Sequence, residues 1–150
     1  LGAGTDSAAK PVVAEKGSDR AMSVSPNGRW LLYQTLRSDI GRVFVRPFPN
    51  TAASMRQVSS GTGRQPRWSP DGKEIFYRTS DTLMAVPVNA GEALSLGAER
   101  AVISMRGVSA WDVAPDGKRF LLVRDREAAA AKRLIVIENF HEELKARVPR

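Results

Sequence analysis

The composition of the chain is that of an ordinary globular domain. It has 150 residues, 42% hydrophobic and 26% charged, with a formal net charge of +7. These values exclude a disordered or collagen-like chain, and no stretch approaches the roughly 18 consecutive apolar residues of a membrane-spanning helix. The lack of cysteine excludes disulfides, thiolate catalysis and cysteine zinc sites. The basic residues form no run of five, so the charge does not favour a nucleic-acid partner.

The start of the chain, residues 1–19, is predicted to be a linker or the end of a preceding structural unit. Leu1–Lys10 has neither the charged start nor the apolar run of an export signal. Pro11–Glu15 is expected to form an outer strand of a unit that lies upstream. Because the chain begins with Leu1 rather than Met, we expect it to be a fragment.

Three copies of one turn motif follow. Ser25–Tyr33 recurs as Ser69–Tyr77 and again as Ala114–Leu122, and the motif prolines lie 70 − 26 = 44 and 115 − 70 = 45 residues apart. In each copy Pro presets the backbone for a turn, Asn or Asp tolerates the left-handed region, and Gly takes positive φ without steric cost. Each copy therefore predicts a β-hairpin.

Strands are predicted on both sides of each turn because the flanking residues are aromatic or β-branched. Trp30, Trp68 and Trp111 are expected to pack in the core, and Pro47 and Pro87 to mark strand ends. The predicted strands are Met22–Val24, Trp30–Thr35, Arg42–Arg46, Arg56–Ser59, Arg67–Trp68, Glu74–Arg78, Leu83–Val88, Arg100–Ile103, Trp111–Val113, Phe120–Val123 and Arg133–Ile137, the two beginning at Arg56 and Arg100 being weaker.

The predicted fold class is all-β. Four short antiparallel strands in a repeat of about 44 residues are typical of a β-propeller blade. We therefore expect a partial β-propeller with blades at residues 20–63, 64–108 and 109–138. Three blades do not close a ring, which again predicts the C-terminal part of a larger propeller. An all-β sandwich with unrelated turns is the alternative.

The chain end, residues 139–150, is predicted to be a short α-helix. Asn139 is a suitable N-cap with Glu142 three residues later, Phe140 and Leu144 give an apolar face, and Pro149 ends the helix. The preceding stretch Arg126–Lys132 is expected to be a loop or a single helical turn without function.

Residues for catalysis or metal binding are not evident. Kinase motifs are missing, and Gly2–Gly4 and Gly61–Gly63 fit flexible turns better than a phosphate-binding loop. The single histidine, His141, does not belong to a serine-hydrolase motif. Asp71 and Asp116 are interpreted as turn residues. The sequence predicts no catalytic residue, no cofactor and no metal site.

A binding role rests on scattered arginines. They are candidates for a rim that attracts a protein, an acidic peptide or a small anionic ligand such as an anionic glycan, through bidentate pairing. An ordinary solvated surface is the alternative. The candidate rim residues are Arg42, Arg46, Arg64, Arg67 and Arg106.

The repeated turns carry a family resemblance. Ser-Pro-(Asp/Asn)-Gly-(Lys/Arg) followed by a hydrophobic strand resembles the TolB-type, WD-repeat-like propeller. The stretches Val43–Pro49, Gln65–Tyr77 and Asp112–Phe120, with the closing segment Ile135–Leu144, are similar to the C-terminal propeller of bacterial eukaryotic-like serine/threonine protein kinases. At Glu138–Phe140 the chain departs from that family, which more often has Leu-Asn-Trp.

The resemblance implies a sensing or interaction module that follows a kinase domain and a membrane helix and lies outside the membrane, in the periplasm. Two other propeller roles stay open. One is an envelope scaffold like TolB, and the other is the gating propeller of a prolyl-oligopeptidase-like serine hydrolase. An upstream kinase domain distinguishes the first role from the scaffold, and a following hydrolase domain would indicate the peptidase.

Overall fold

A computed structural model describes residues 18–53, 55–124 and 133–137. All the regular elements in these ranges are β-strands. The predicted helix at 139–150, the predicted strand Pro11–Glu15 and the predicted loop Arg126–Lys132 lie outside the described residues. The strands are β1 Ser18–Val24, β2 Trp30–Arg37, β3 Ile40–Pro47, β4 Arg56–Gln57, β5 Arg64–Trp68, β6 Glu74–Arg78, β7 Thr82–Ala90, β8 Leu94–Leu96, β9 Arg100–Ser104, β10 Val108–Val113, β11 Phe120–Arg124 and β12 Arg133–Ile137.

These strands form three antiparallel sheets that follow one another along the chain. The first sheet has the order β1-β2-β3-β4, and the third has the order β10-β11-β12. The second has the order β5-β6-β7, and β7 then pairs with both β8 and β9. The prediction of an all-β chain built from consecutive antiparallel sheets is confirmed.

The repeated turns join the first two strands of each sheet. Gly28, Gly72 and Gly117 have φ of 74°, 71° and 67°, a region that L side chains rarely adopt. In the second copy Ser69 Oγ accepts from the amide of Glu74 at 2.9 Å and donates to the Asp71 carboxylate at 2.6 Å. The same contacts recur in the first copy. The predicted positive φ of the turn glycines is confirmed. The predicted left-handed conformation of the preceding residue is wrong, because Asn27, Asp71 and Asp116 lack positive φ and instead accept a hydrogen bond from the amide two residues on.

The predicted strand end at Pro87 is wrong, because β7 continues to Ala90. Along β7 the partner is β9 as far as Ala85 and β8 from Val88 onward. The Pro87 carbonyl accepts from Gly97 at 2.8 Å, so the proline nitrogen faces the same side, at the point where β7 changes partner. Because proline has no N–H, Pro87 accepts this hydrogen bond from Gly97 but cannot donate one in return.

Side chains that alternate along β6 place the second sheet between two cores. Ile75 and Tyr77 lie in a cluster shared with the first sheet, and Phe76 lies in a cluster shared with the third sheet. The predicted core positions of the tryptophans are confirmed, with Trp30 and Trp68 in the first cluster and Trp111 in the second. The sheets therefore stack through their faces in sequence order.

Neighbouring sheets also meet at their repeated turns. A Cβ added to Gly72 would lie 3.4 Å from Pro26 Cδ, and one added to Gly117 would lie 3.5 Å from Pro70 Cδ. Each turn glycine thus packs against the proline of the preceding turn. We call this end of the sheets the turn end, and the end with the β2-β3 and β6-β7 hairpins the hairpin end.

Candidate functional site

A cleft of about 720 Å³ lies between the first two sheets at the hairpin end. The side chains around it are cationic or neutral and polar, and no carboxylate is among the described residues that line it. We call it the arginine cleft; its lining residues are Arg20, Gln34, Thr62, Arg64, Gln65, Arg78, Thr79 and Ser80.

Four of these residues occupy two equivalent positions of the repeat. Arg20 on β1 lies opposite Gln34 on β2, and Arg64 on β5 lies opposite Arg78 on β6. The spacings are 64 − 20 = 44 and 78 − 34 = 44 residues, which is the period of the turns. Equivalent positions in the first two strands of both sheets therefore line the same cleft.

Arg64 and Arg78 are a like-charged pair in direct cross-strand register, an arrangement that destabilises a sheet. Their described hydrogen-bond acceptors are neutral. Arg64 donates to the carbonyl of Asp39, and Arg78 donates to the carbonyl of Val108 at 2.9 Å. Among the described residues neither arginine forms an ion pair. The pair keeps an uncompensated positive charge at the cleft.

The backbone beside this pair is held in an unusual conformation. Gln65 has φ of 51°, and its amide donates to Gln34 Oε1 at 2.9 Å. Gln34 is only 6% exposed, so a buried amide fixes the start of β5. The Gln65 side-chain oxygen is itself buried, without a hydrogen-bond partner among the described residues.

The loop that brings Thr62 to the cleft is packed tightly against β3. The amide of Gly63 donates to the carbonyl of Gly41 at 2.8 Å, and a Cβ on Gly63 would lie 2.8 Å from Ser59 Cβ. The position therefore requires glycine.

A carboxylate anchors the same loop from the second sheet. Glu99 accepts from the hydroxyls of Ser60 and Tyr77 and from the Ser60 amide at 3.3 Å. Desolvation raises the pKa of Glu99, but the hydrogen bonds from Ser60 and Tyr77 outweigh it, so the pKa lies below its usual value. Burial, with a smaller effect of Glu99, raises the pKa of Tyr77, which keeps its hydroxyl a donor.

The predicted arginine rim does not form one surface. Arg64 lines the arginine cleft, and Arg106 lies at the hairpin end with its Nε 3.5 Å from an Asp81 oxygen. Arg42 is exposed on β3 near that end, opposite Thr35. The remaining two, Arg46 and Arg67, lie toward the turn end, opposite Leu31 and Phe76.

Arg46 and Arg67 have intramolecular contacts at these places. Arg46 lies 5.2 Å from the ring centroid of Tyr33 and donates to the Thr51 carbonyl at 3.0 Å. Arg67 lies 5.9 Å from the ring centroid of Trp111, and its Nε is 3.5 Å from an Asp112 oxygen. Of the predicted rim residues, only Arg64 lines the arginine cleft, and it lies there with Arg20 and Arg78. The sequence reasoning did not name Arg20 or Arg78.

The aspartates of the turns act locally. Ser69 and the Lys73 amide donate to Asp71 and lower its pKa, and the Lys118 amide does the same for Asp116. In the part of the chain that the structure describes, no group of three or more metal-ligating side chains is found. No helix among these residues is long and apolar enough to cross a membrane.

Comparison with known proteins supports the fold. No family model and no curated protein matches the chain. It is similar to the crystal structure of TolB from Acinetobacter baumannii, with a TM-score of 0.55 and 17% identity over 83% of this chain and 30% of that chain. A candidate TolB from Agrobacterium tumefaciens gives a TM-score of 0.52 and 16% identity over 78% of this chain and 44% of that one.

These similarities show a TolB-like β-propeller fold, so the three sheets are blades of a partial propeller. The chain spans less than half the length of either solved structure.

Proposed function

We propose that the chain is a non-catalytic sensing or partner-binding module. The observation that carries the proposal is the arginine cleft, to which two sheets and their loops contribute guanidinium, amide and hydroxyl groups. Such groups bind and orient polar ligands. The sequence has one histidine and no cysteine, so it lacks a thiolate nucleophile.

The proposed parent is a bacterial receptor-type serine/threonine kinase, with this propeller outside the membrane. The support is the similarity of Val43–Pro49, Gln65–Tyr77 and Asp112–Phe120 to the C-terminal propellers of such kinases. A propeller in this position is suited to sensing, because a ligand outside the membrane can change the association of the parent chains without entering the cell.

The experiment is to determine the genomic sequence upstream of the codon for Leu1 and translate it in frame. We expect further Pro-(Asp/Asn)-Gly repeats, then, farther upstream, one segment of about 20 apolar residues and a kinase domain with its glycine-rich loop and catalytic aspartates. Translation downstream of Arg150 is the accompanying control.

Other outcomes would contradict the kinase proposal. A stop codon immediately upstream of Leu1 would do so. A short domain preceded by an export signal would favour a TolB-like envelope scaffold, a role with which the TolB-like fold agrees. A downstream domain with a Gly-x-Ser-x-Gly motif would favour the gating propeller of a hydrolase.

A further inference from the structure

We propose that the arginine cleft binds the carboxylates of an acidic peptide. The inference deepens the proposed binding function and rests on it, since it names the class of ligand for the same cleft. It is carried by the charge of the cleft, by its size and lining, and by the fixed backbone at Gln65.

The charge of the cleft favours an anion. Arg64 and Arg78 face each other across β5 and β6, and Arg20 is added from the first sheet. Two acidic residues of the hairpin end, Asp39 and Asp81, do not line the cleft, and Asp81 is near Arg106 instead. Guanidinium groups pair with carboxylates through two parallel hydrogen bonds, so a ligand with several carboxylates would offset the repulsion between the arginines.

The size and lining of the cleft favour a short peptide segment. A volume of about 720 Å³ lies within the range of sites that enclose small ligands, roughly 300–1,000 Å³. Aromatic side chains, on which nucleic-acid bases stack, are missing from its described lining. Sugar rings and bases therefore lack a stacking surface, whereas carboxylates and peptide groups find donors.

The backbone geometry supplies the argument for a peptide over a simple oxyanion. The buried Gln34 amide holds Gln65 at positive φ, so the start of β5 is fixed before a ligand arrives. The Gln65 side-chain oxygen lacks a partner among the described residues. A peptide carries several N–H donors next to its carboxylates and can satisfy such an acceptor after a small side-chain rotation. Inorganic phosphate near neutral pH has only one or two O–H donors, on the same small ion that the arginines would hold.

The test is isothermal titration calorimetry of the whole 150-residue chain with an N-acetylated, C-amidated tetraglutamate peptide at low ionic strength. The tetraglutamine peptide and inorganic phosphate are the comparison ligands. The chain variants are Arg64→Gln and Arg78→Gln. The matched control is Arg42→Gln, which removes the same charge from an exposed arginine near the hairpin end that does not line the cleft.

We expect saturable binding of tetraglutamate that weakens about tenfold or more in each cleft variant, because each loses a charged hydrogen bond to the ligand. The control variant should keep its affinity within about twofold, since Arg42 does not line the cleft and loses no hydrogen bond to the ligand. Backbone amide resonances of Gln34 and Gln65 should shift on titration of the unaltered chain. This measurement keeps the test decisive if a variant fails to fold.

Several results would overturn the proposal. They are an equal loss of affinity in Arg42→Gln, no shift at Gln34 and Gln65, or tetraglutamine binding as tightly as tetraglutamate. If phosphate binds as tightly as the peptide and displaces it, the ligand of the cleft is a free oxyanion and not a peptide. None of these results bears on the upstream coding sequence, and the absence of a kinase domain there would leave the calorimetry unchanged.

Discussion

Glu99 shows how one side chain joins two sheets at the candidate site. It lies in the connection between β8 and β9 of the second sheet, and its carboxylate accepts from Tyr77 of that sheet and from Ser60 in the loop that follows the first sheet. Because the ionised form receives all these hydrogen bonds, the folded state favours it over the protonated form. The charge of Glu99 therefore contributes to stability and to the position of the loop at the arginine cleft.

We expect Glu99→Gln to destabilise the chain by about 1–2 kcal/mol at neutral pH, because charge-assisted hydrogen bonds become neutral ones. The folded-state pKa of Glu99 is lowered below its usual 4.5, so its contribution is complete above that pH and is lost as the pH falls through the lowered value. The difference between the two chains should therefore shrink on acidification. Urea unfolding at neutral pH and at about pH 3 measures it.

The control for this prediction is Glu92→Gln, which changes an exposed glutamate of the β7-β8 hairpin. It should be close to neutral at both pH values. A Glu99→Gln difference that is independent of pH, or equal to that of Glu92→Gln, would contradict the role of the charge.

At the residue scale the sequence predicted the core better than the site. Trp68 and Trp111 were expected to be buried, and both are. Arg20 and Arg78 were missed because a charged side chain carries no local signal of where its strand register will place it. A shift of the sequence by one period aligns Arg20 with Arg64 and Gln34 with Arg78, and that was the signal available.

The turns are the elements that the sequence specifies most completely. Proline and glycine act through their own backbone preferences, and the short polar residue acts through hydrogen bonds to the amide two residues on. The conformation of the turn therefore depends little on distant residues. The glycine has a second role that only the structure shows, because it packs against the proline of the preceding turn.

We expect Gly72→Ala to cost about 1–2 kcal/mol of unfolding free energy, since an L side chain is strained at its φ of 71°. Its Cβ would lie 3.4 Å from Pro26 Cδ, an ordinary van der Waals distance, so the expected cost comes from the backbone conformation. Thermal and urea unfolding measure the effect.

The matched control is Gly61→Ala, because a Cβ there meets nothing within 4 Å and the residue has no positive φ. It should change stability by less than about 0.5 kcal/mol or slightly increase it. Equal destabilisation by both substitutions would mean that the left-handed conformation of the turn is not what requires glycine.

β7 shows where prediction of elements stops. A proline inside a run of apolar residues indicates a strand end when only local sequence is considered. In the structure Pro87 lies where β7 exchanges β9 for β8, and β8 itself was not predicted. The pairing partner of each part of β7 depends on tertiary structure. A single window of sequence therefore does not predict it.

For the whole molecule, the period of 44 to 45 residues predicted the succession of sheets, because each repeat forms one unit that buries its faces against its neighbours. The resulting cores are separate. The cluster between the first two sheets contains Val45 and Tyr77, and the cluster between the second and third contains Phe76 and Phe120. Contacts of this nearest-neighbour kind favour local opening of one interface at a time.

Phe120→Ala tests that arrangement. Phe120 is 2% exposed, and its ring meets the ring of Phe76 edge-on at a centroid distance of 5.0 Å. Its removal should cost about 3–5 kcal/mol and accelerate amide hydrogen exchange in β10 and β11 far more than in β2 and β3. Val45→Ala, in the other cluster, should give the reverse pattern. Uniform acceleration across all the sheets by either substitution would show instead that the three sheets open as one cooperative unit.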